Sequence, residues 1–148
     1  MPRAVVWDMD GTLINSEEYH WISWRDTMKK EGIAVTHMQF LSSFGQRNDS
    51  IIPRWLGAAS TPERMERIAN AKEELYRDMV RKNGASPLPG VASWVLRLHE
   101  RGWLQAVASS APVPTSRWSL KLSRLLTVSR RLSLLNMSAR ENRILEFI

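Results

Sequence analysis

Hydrophobic and polar positions follow two rhythms along this chain. A continuous apolar run at residues 4–7 ends in aspartates and glycine, which predicts a short buried strand. Beyond it the period changes to that of a helix. Ser16 followed by Glu17 and Glu18 predicts a helix start, with acids in the first turn where the backbone dipole favours them. That helix should run to about Glu31 and stop at Gly32, with Tyr19, Ile22 and Met28 toward a core. Thr36 and Gln39 form a capping-box pattern for a second short helix ending near Gly45, and residues 48–56 read as a third. Thr61-Pro62-Glu63 is a strong start signal. From there Met65, Ile68, Ala69, Lys72, Leu75, Tyr76, Met79 and Val80 recur at helical spacing up to Gly84, the clearest amphipathic helix in the chain. Pro87-Leu88-Pro89-Gly90 breaks the pattern. Val91, Trp94, Val95 and Leu98 then mark a helix that Gly102 stops, and residues 104–108 read as a second buried strand ending in Ser109 and Ser110.

Composition narrows the class. The 148 residues suffice for one ordinary domain with a real core. There is no cysteine, hence no disulfide framework or thiolate metal site, and His37 and His99 have no partners at zinc-ligand spacing. No apolar run reaches the length of a membrane span, and no secretory leader is visible, so a soluble cytoplasmic protein is expected, with neither a membrane nor a nucleic acid as partner. The net charge of +6 is unevenly placed. Residues 1–111 carry 14 Lys/Arg against 13 Asp/Glu, whereas residues 112–148 carry 7 against 2. That asymmetry argues against a nucleic-acid binder built over the whole chain.

The chemistry concentrates at the end of the first strand. Asp8 and Asp10 flank a single residue at the strand's carboxyl end, where open α/β sheets bind ligands. Two carboxylates this close ionise together only at a cost unless a cation accompanies them. The string Asp8-Met9-Asp10-Gly11-Thr12-Leu13 resembles, without a gap, the first motif of the haloacid dehalogenase-like superfamily of phosphohydrolases and phosphomutases. The resemblance implies that Asp8 is the nucleophile that takes up a phosphoryl group. It implies that Asp10 is the general acid and base, with Mg²⁺ held by Asp8, the Asp10 carbonyl and the phosphate. Those residue types suit the task. Like charges about 4 Å apart repel by about 1 kcal/mol in water and more in a closed site, a repulsion that a hard divalent cation offsets. Gly11 permits a sharp turn, and Thr12 supplies a hydroxyl near the phosphate. Ser109, at the end of the second strand and followed by Ser110, resembles the family's second motif and would hold a phosphate oxygen through its hydroxyl and nearby backbone N–H groups.

The implied fold is α/β: an incomplete Rossmann-like core of the haloacid dehalogenase type at residues 1–14 and 86–111, with an all-helical cap inserted at residues 15–85. Within the helical part, Glu18-Tyr19-His20, the Trp21 and Trp24 pair, the stretch from Gly45 to Ile51, and Lys72 with Tyr76 resemble the β-phosphoglucomutase-like branch. That likeness would make His20 and Lys72 cap residues near the substrate, and Arg47 a grip on a distal phosphate, on a small phosphorylated metabolite such as a sugar phosphate. Each also has an ordinary structural reading: a satisfied helix histidine, a lysine snorkelling from an apolar stripe.

The motif resemblance ends at about Pro112. Where the family continues with a lysine before a proline and later an acidic pair, this chain has a Ser-, Arg- and Leu-rich tail, residues 112–148, with Lys121 its only lysine and Glu141 and Glu146 its only acids. The composition shift reads as that of a truncated or frame-shifted copy, which translating the other two frames beyond codon 112 would test. Two functional readings stay open: a monomeric Mg²⁺-dependent phosphate-ester hydrolase or phosphomutase, and a non-catalytic remnant that binds phosphate or a partner. A tail acting as a basic amphipathic helix, with Leu120, Leu122, Leu125, Leu126, Leu132, Leu134 and Leu135 interleaved with Arg124, Arg130 and Arg131, is a further alternative.

Overall fold

The computed structural model describes residues 2–109, 134–135 and 144–147. The chain divides into two compact units, one formed by residues 1–16 and 83–148, the other by residues 17–82.

The first unit is an α/β unit. β1 (Ala4–Asp8) pairs in parallel with β2 (Leu104–Ser109), in the register Ala4 with Leu104 through Asp8 with Ala108. Two short strands, β3 (Leu134–Leu135) and β4 (Ile144–Phe147), extend the sheet in the order β1-β2-β4-β3, and β4 runs antiparallel to both of its neighbours. Leu134 and Leu135 are therefore strand residues and not part of an amphipathic helix; the other tail residues of that alternative lie outside the described residues. The helix α5 (Val91–Glu100) buries Val91 and Val95. The buried Gln105 ties three elements together: its Oε1 accepts from Trp7 Nε1 at 2.9 Å, and its Nε2 donates to the Val95 carbonyl at 2.9 Å. A buried amide satisfied on both sides fixes the register without an orphaned polar group.

One burial expectation fails here. β1 is not a buried strand: it lies at the sheet edge, and Val6 is 59% exposed. Leu104, beside it, is 55% exposed, and Trp94 on α5 is 53% exposed. A continuous apolar run implies cover on both faces, whereas exposure alternates along β1 and leaves one of its faces, with Ala4, Val6 and Asp8, uncovered.

The second unit is helical: α1 (Glu17–Lys30), α2 (His37–Leu41), α3 (Asn48–Leu56), a 3₁₀ turn (Gly57–Ala59) and α4 (Pro62–Asn83). The capping box forms as read: the Gln39 amide N–H donates to Thr36 Oγ1, and the Thr36 N–H donates to Gln39 Oε1. Trp24, Met28, Phe40, Ile51, Ile52, Leu56 and Ile68 make the core. α1 turns a partly polar face inward. His20, Ser23, Trp24, Thr27 and Met28 are its buried residues, while Tyr19 and Ile22 are only half-buried. Ser23 can be buried because its hydroxyl donates to the His20 carbonyl one turn back at 2.9 Å. Glu31, just past α1, receives Arg67 at 2.6 Å and Arg64 at 3.1 Å and so clamps the start of α4. No helix among the described residues is long and apolar enough to cross a membrane.

Candidate active site

The loop after β1 is built around one carbonyl. The Met9 oxygen accepts from the amides of Leu13 at 2.9 Å and Ile14 at 3.1 Å, while Met9, Leu13 and Ile14 are fully buried. Gly11 closes the turn with φ +75°, a conformation that side-chain-bearing residues adopt at a cost, and its N–H donates to the Ile14 carbonyl at 3.0 Å. The loop is locked to the chain returning from the helical unit: the Asn15 N–H donates to the Ser86 carbonyl and the Leu88 N–H to the Leu13 carbonyl. The two aspartates are thus presented from a rigid turn at the carboxyl end of the parallel pair.

Asp8 lies at the surface, yet its carboxyl is held above the ordinary aspartate range. Partial loss of solvent around the carboxyl is the main cause. The neighbouring charge of Asp10 adds to it, while the Met9 amide and the Thr12 hydroxyl, which both donate to the carboxylate, oppose it. Asp10 is oriented separately: the buried Ser16 donates its hydroxyl to Asp10 Oδ1 at 2.7 Å. Two hydroxyls thus each bond one of the aspartates. Thr12 serves Asp8, and Ser16 serves Asp10. The offset of six residues between Ser16 and Asp10 carries no local signature, so only the folded loop reveals that contact.

Ser109 follows Ala108, the register partner of Asp8, so both lie at the carboxyl end of the parallel pair. Ser109 is buried and still paired with Ile144 of β4. Strand alternation places its side chain with Gln105 and Val107, on the face opposite to that of Ala108. Ser110 lies outside the described residues.

In the helical unit His20 and Lys72 come together. Lys72 Nζ lies 3.0 Å from His20 Nδ1 and 2.8 Å from Glu73 Oε1. Lys72 is 2% exposed and Glu73 4%. Asn48 Nδ2 donates to the same Glu73 oxygen at 3.2 Å, and the His20 ring stacks on Tyr76 at 4.3 Å. Burial pushes the Glu73 carboxyl up, but the Lys72 ammonium, with the bonds from Lys72 and Asn48 and a smaller contribution from His20, holds it below the ordinary glutamate range. Sequence reasoning missed Glu73, because one acid among several on a long charged helix reads as a solvent-side residue. Arg47 is not part of this cluster. It grips Asp49, with Nη2 at 2.7 Å from Oδ2, and both are exposed.

Among the described residues no group of three or more His, Asp or Glu side chains converges on one point. Asp8 and Asp10 nevertheless offer the hard oxygen donors that Mg²⁺ takes, and the repulsion between them, the smaller of the two contributions that raise Asp8 after loss of solvent, is what a divalent cation relieves.

Comparison with known proteins places this geometry. The fold is similar to that of a β-phosphoglucomutase from Clostridium difficile, at 21% identity and a TM-score of 0.72, over 83% of this chain and 57% of that one. It is similar to CbbY from Rhodobacter sphaeroides, solved in complex with phosphate, at 22% identity and a TM-score of 0.68, over 82% and 57%. A haloacid dehalogenase hydrolase, family IA, variant 3, from Entamoeba histolytica matches at 23% identity and a TM-score of 0.73, over 86% of this chain and 57% of that one. The chain thus spans less than two thirds of the length of each. The model of the haloacid dehalogenase-like hydrolase family matches residues 5–128, running past Pro112, where the motif resemblance stops. With its two-aspartate loop at the end of a parallel strand and a match over most of its length, the chain belongs to the haloacid dehalogenase-like hydrolase family.

Proposed function

We propose that the chain is a Mg²⁺-dependent phosphate-ester hydrolase or phosphomutase that works through an aspartyl-phosphate on a small phosphorylated metabolite such as a sugar phosphate. It would act as a cytoplasmic monomer. The observation that carries this reading is the β1 loop: one carboxylate presented at a strand end and a second held beside it by Ser16. In the first step an Asp8 carboxylate oxygen bonds to phosphorus as the P–O ester bond breaks, and Asp10 gives its proton to the departing oxygen. In the second, Asp10 takes a proton from water or an acceptor hydroxyl, whose oxygen displaces Asp8 from phosphorus. Mg²⁺, held by Asp8 and Asp10, would supply charge neutralisation between carboxylate and phosphate. Ser16 keeps Asp10 aimed through both steps. Thr12 steadies Asp8, and Ser109 and Ser110 would anchor phosphate oxygens. His20, Lys72 and Arg47 would face the rest of the substrate from a helical cap, Arg47 by exchanging Asp49 for a phosphate.

Support for the reaction class comes from family membership, and for the substrate class from the phosphoglucomutase and phosphate-bound structures that share the fold. The test is hydrolysis of an aryl phosphate with and without Mg²⁺. Turnover that needs the metal and vanishes in Asp8→Ala is expected; turnover that survives that substitution refutes the reading.

A second reading has its own observation. The uncovered apolar positions Val6 and Leu104, and the lack of a third acid beside Asp8 and Asp10 among the described residues, favour a non-catalytic remnant that binds phosphate or a partner. Phosphate binding without turnover by the folded chain would select it.

A further inference from the structure

Glu73, Lys72 and His20 form a chain of contacts running from a buried carboxylate to an imidazole. Each link constrains the next. Glu73 is held in place by Asn48 from α3 and carries negative charge beside Lys72. An ammonium has three donors and no acceptor. With one N–H directed at Glu73, its contact with His20 Nδ1 requires Nδ1 to accept, so the ring proton sits on Nε2. Stacking on Tyr76, and an edge contact with Phe44 at 5.7 Å, hold the ring plane. The geometry points to Glu73 as a positioning residue: through Lys72 it fixes His20 as the Nε2–H tautomer.

The consequence for recognition rests on the reading of His20 as a substrate-facing residue. A fixed Nε2–H favours an oxygen lone pair, such as that of a phosphate or an ether oxygen, and disfavours a group that can only donate. A buried carboxylate one residue from the lysine is a costly way merely to fill space, since an apolar pair of similar volume packs at least as well. Its expected return is control of the ring.

The test reads the ring nitrogens directly and needs no turnover. Long-range ¹H–¹⁵N correlation spectra of the ¹⁵N-labelled 148-residue chain at neutral pH, with His20→Gln to assign the signals, report which nitrogen is protonated; His37 and His99 serve as internal references. The wild type should show His20 Nδ1 in the unprotonated range and Nε2 in the protonated range. Glu73→Gln should draw the two signals together as both tautomers become populated, and Glu73→Asp should restore part of the separation. If Glu73→Gln does not fold, the Lys72→Met, Glu73→Leu double variant, which leaves no buried charge, takes its place with the same loss of separation expected. A protonated Nδ1 in the wild type, or His20 signals that stay in place in a folded variant lacking the Glu73 carboxylate, overturns the proposal. A chain that fails to turn over aryl phosphate while showing the expected ring signals refutes the catalytic reading and leaves the positioning role intact.

Discussion

In the helical unit Phe40, Ile51, Ile52 and Ile68 are almost wholly removed from water; in the α/β unit Val6, Leu104 and Trp94 are each more than half exposed. The difference follows from what each architecture needs. A set of short helices can surround a core with its own faces, and residues 17–82 do so. A sheet with parallel strands needs layers on both faces. α5 supplies buried contacts through Val91 and Val95, yet β1 keeps alternate side chains in water. Closure is therefore a local property of the helical unit, while the sheet depends on packing from elements distant in sequence. The two-aspartate turn is ordered in spite of this: backbone bonds gather around the Met9 carbonyl, and Met9, Leu13 and Ile14 are buried.

The largest expected effect lies in the closed unit. Glu73→Ala leaves the Lys72 ammonium buried without its carboxylate and should cost about 3–5 kcal/mol in denaturant unfolding, whereas the Lys72→Met, Glu73→Leu double variant should unfold at or above the wild-type midpoint. A small loss in the single variant would show that water reaches this pair and that the unit is less closed than described. The sign with pH follows from the lowered Glu73 carboxyl: its stabilising contribution is present above the ordinary glutamate value and disappears as pH falls through the folded one.

A smaller contrast compares the two cores directly. Ile52→Val, within the helical core, should cost about 0.5–1.5 kcal/mol, while Val6→Thr on the exposed sheet edge should change stability by less than about 0.5 kcal/mol. Equal losses in unfolding experiments would mean that β1 is covered in solution.

The smallest effect has the opposite sign. Because the folded chain raises the Asp8 carboxyl, ionising Asp8 works against folding, and this penalty is fully present above the folded value and absent below the unfolded one. Asp8→Asn should raise the melting temperature at neutral pH by about 1–3 °C, and the gain should fade as the buffer is made acidic. A fall in melting temperature at neutral pH would indicate that Asp8 is a structural carboxylate.

Much of this was legible before any coordinates. The helices were readable where punctuation is local: the Thr36–Gln39 box, Pro62 at the first position of α4, and glycine after α1. The two-aspartate loop was readable because its residues are contiguous. What escaped depends on partners far along the chain. Nothing near Glu73 announces that Asn48, 25 residues earlier, bonds it. Trp94 keeps helical spacing with Val91 and Val95 yet stays in water, because spacing shows that a face exists and not that something packs on it. The antiparallel pairing of β4 with β2 joins residues far apart in the chain, so no short window of sequence contains it.

The central claim is that the Asp8 carboxylate bonds to phosphorus. Acid quenching of the chain during turnover of an aryl phosphate with Mg²⁺, followed by peptide mass spectrometry, tests it most directly. A phosphoryl adduct on the peptide carrying Asp8, absent from Asp8→Ala, is the expected result. Turnover with no adduct on that peptide, or no turnover by the folded chain, would contradict it.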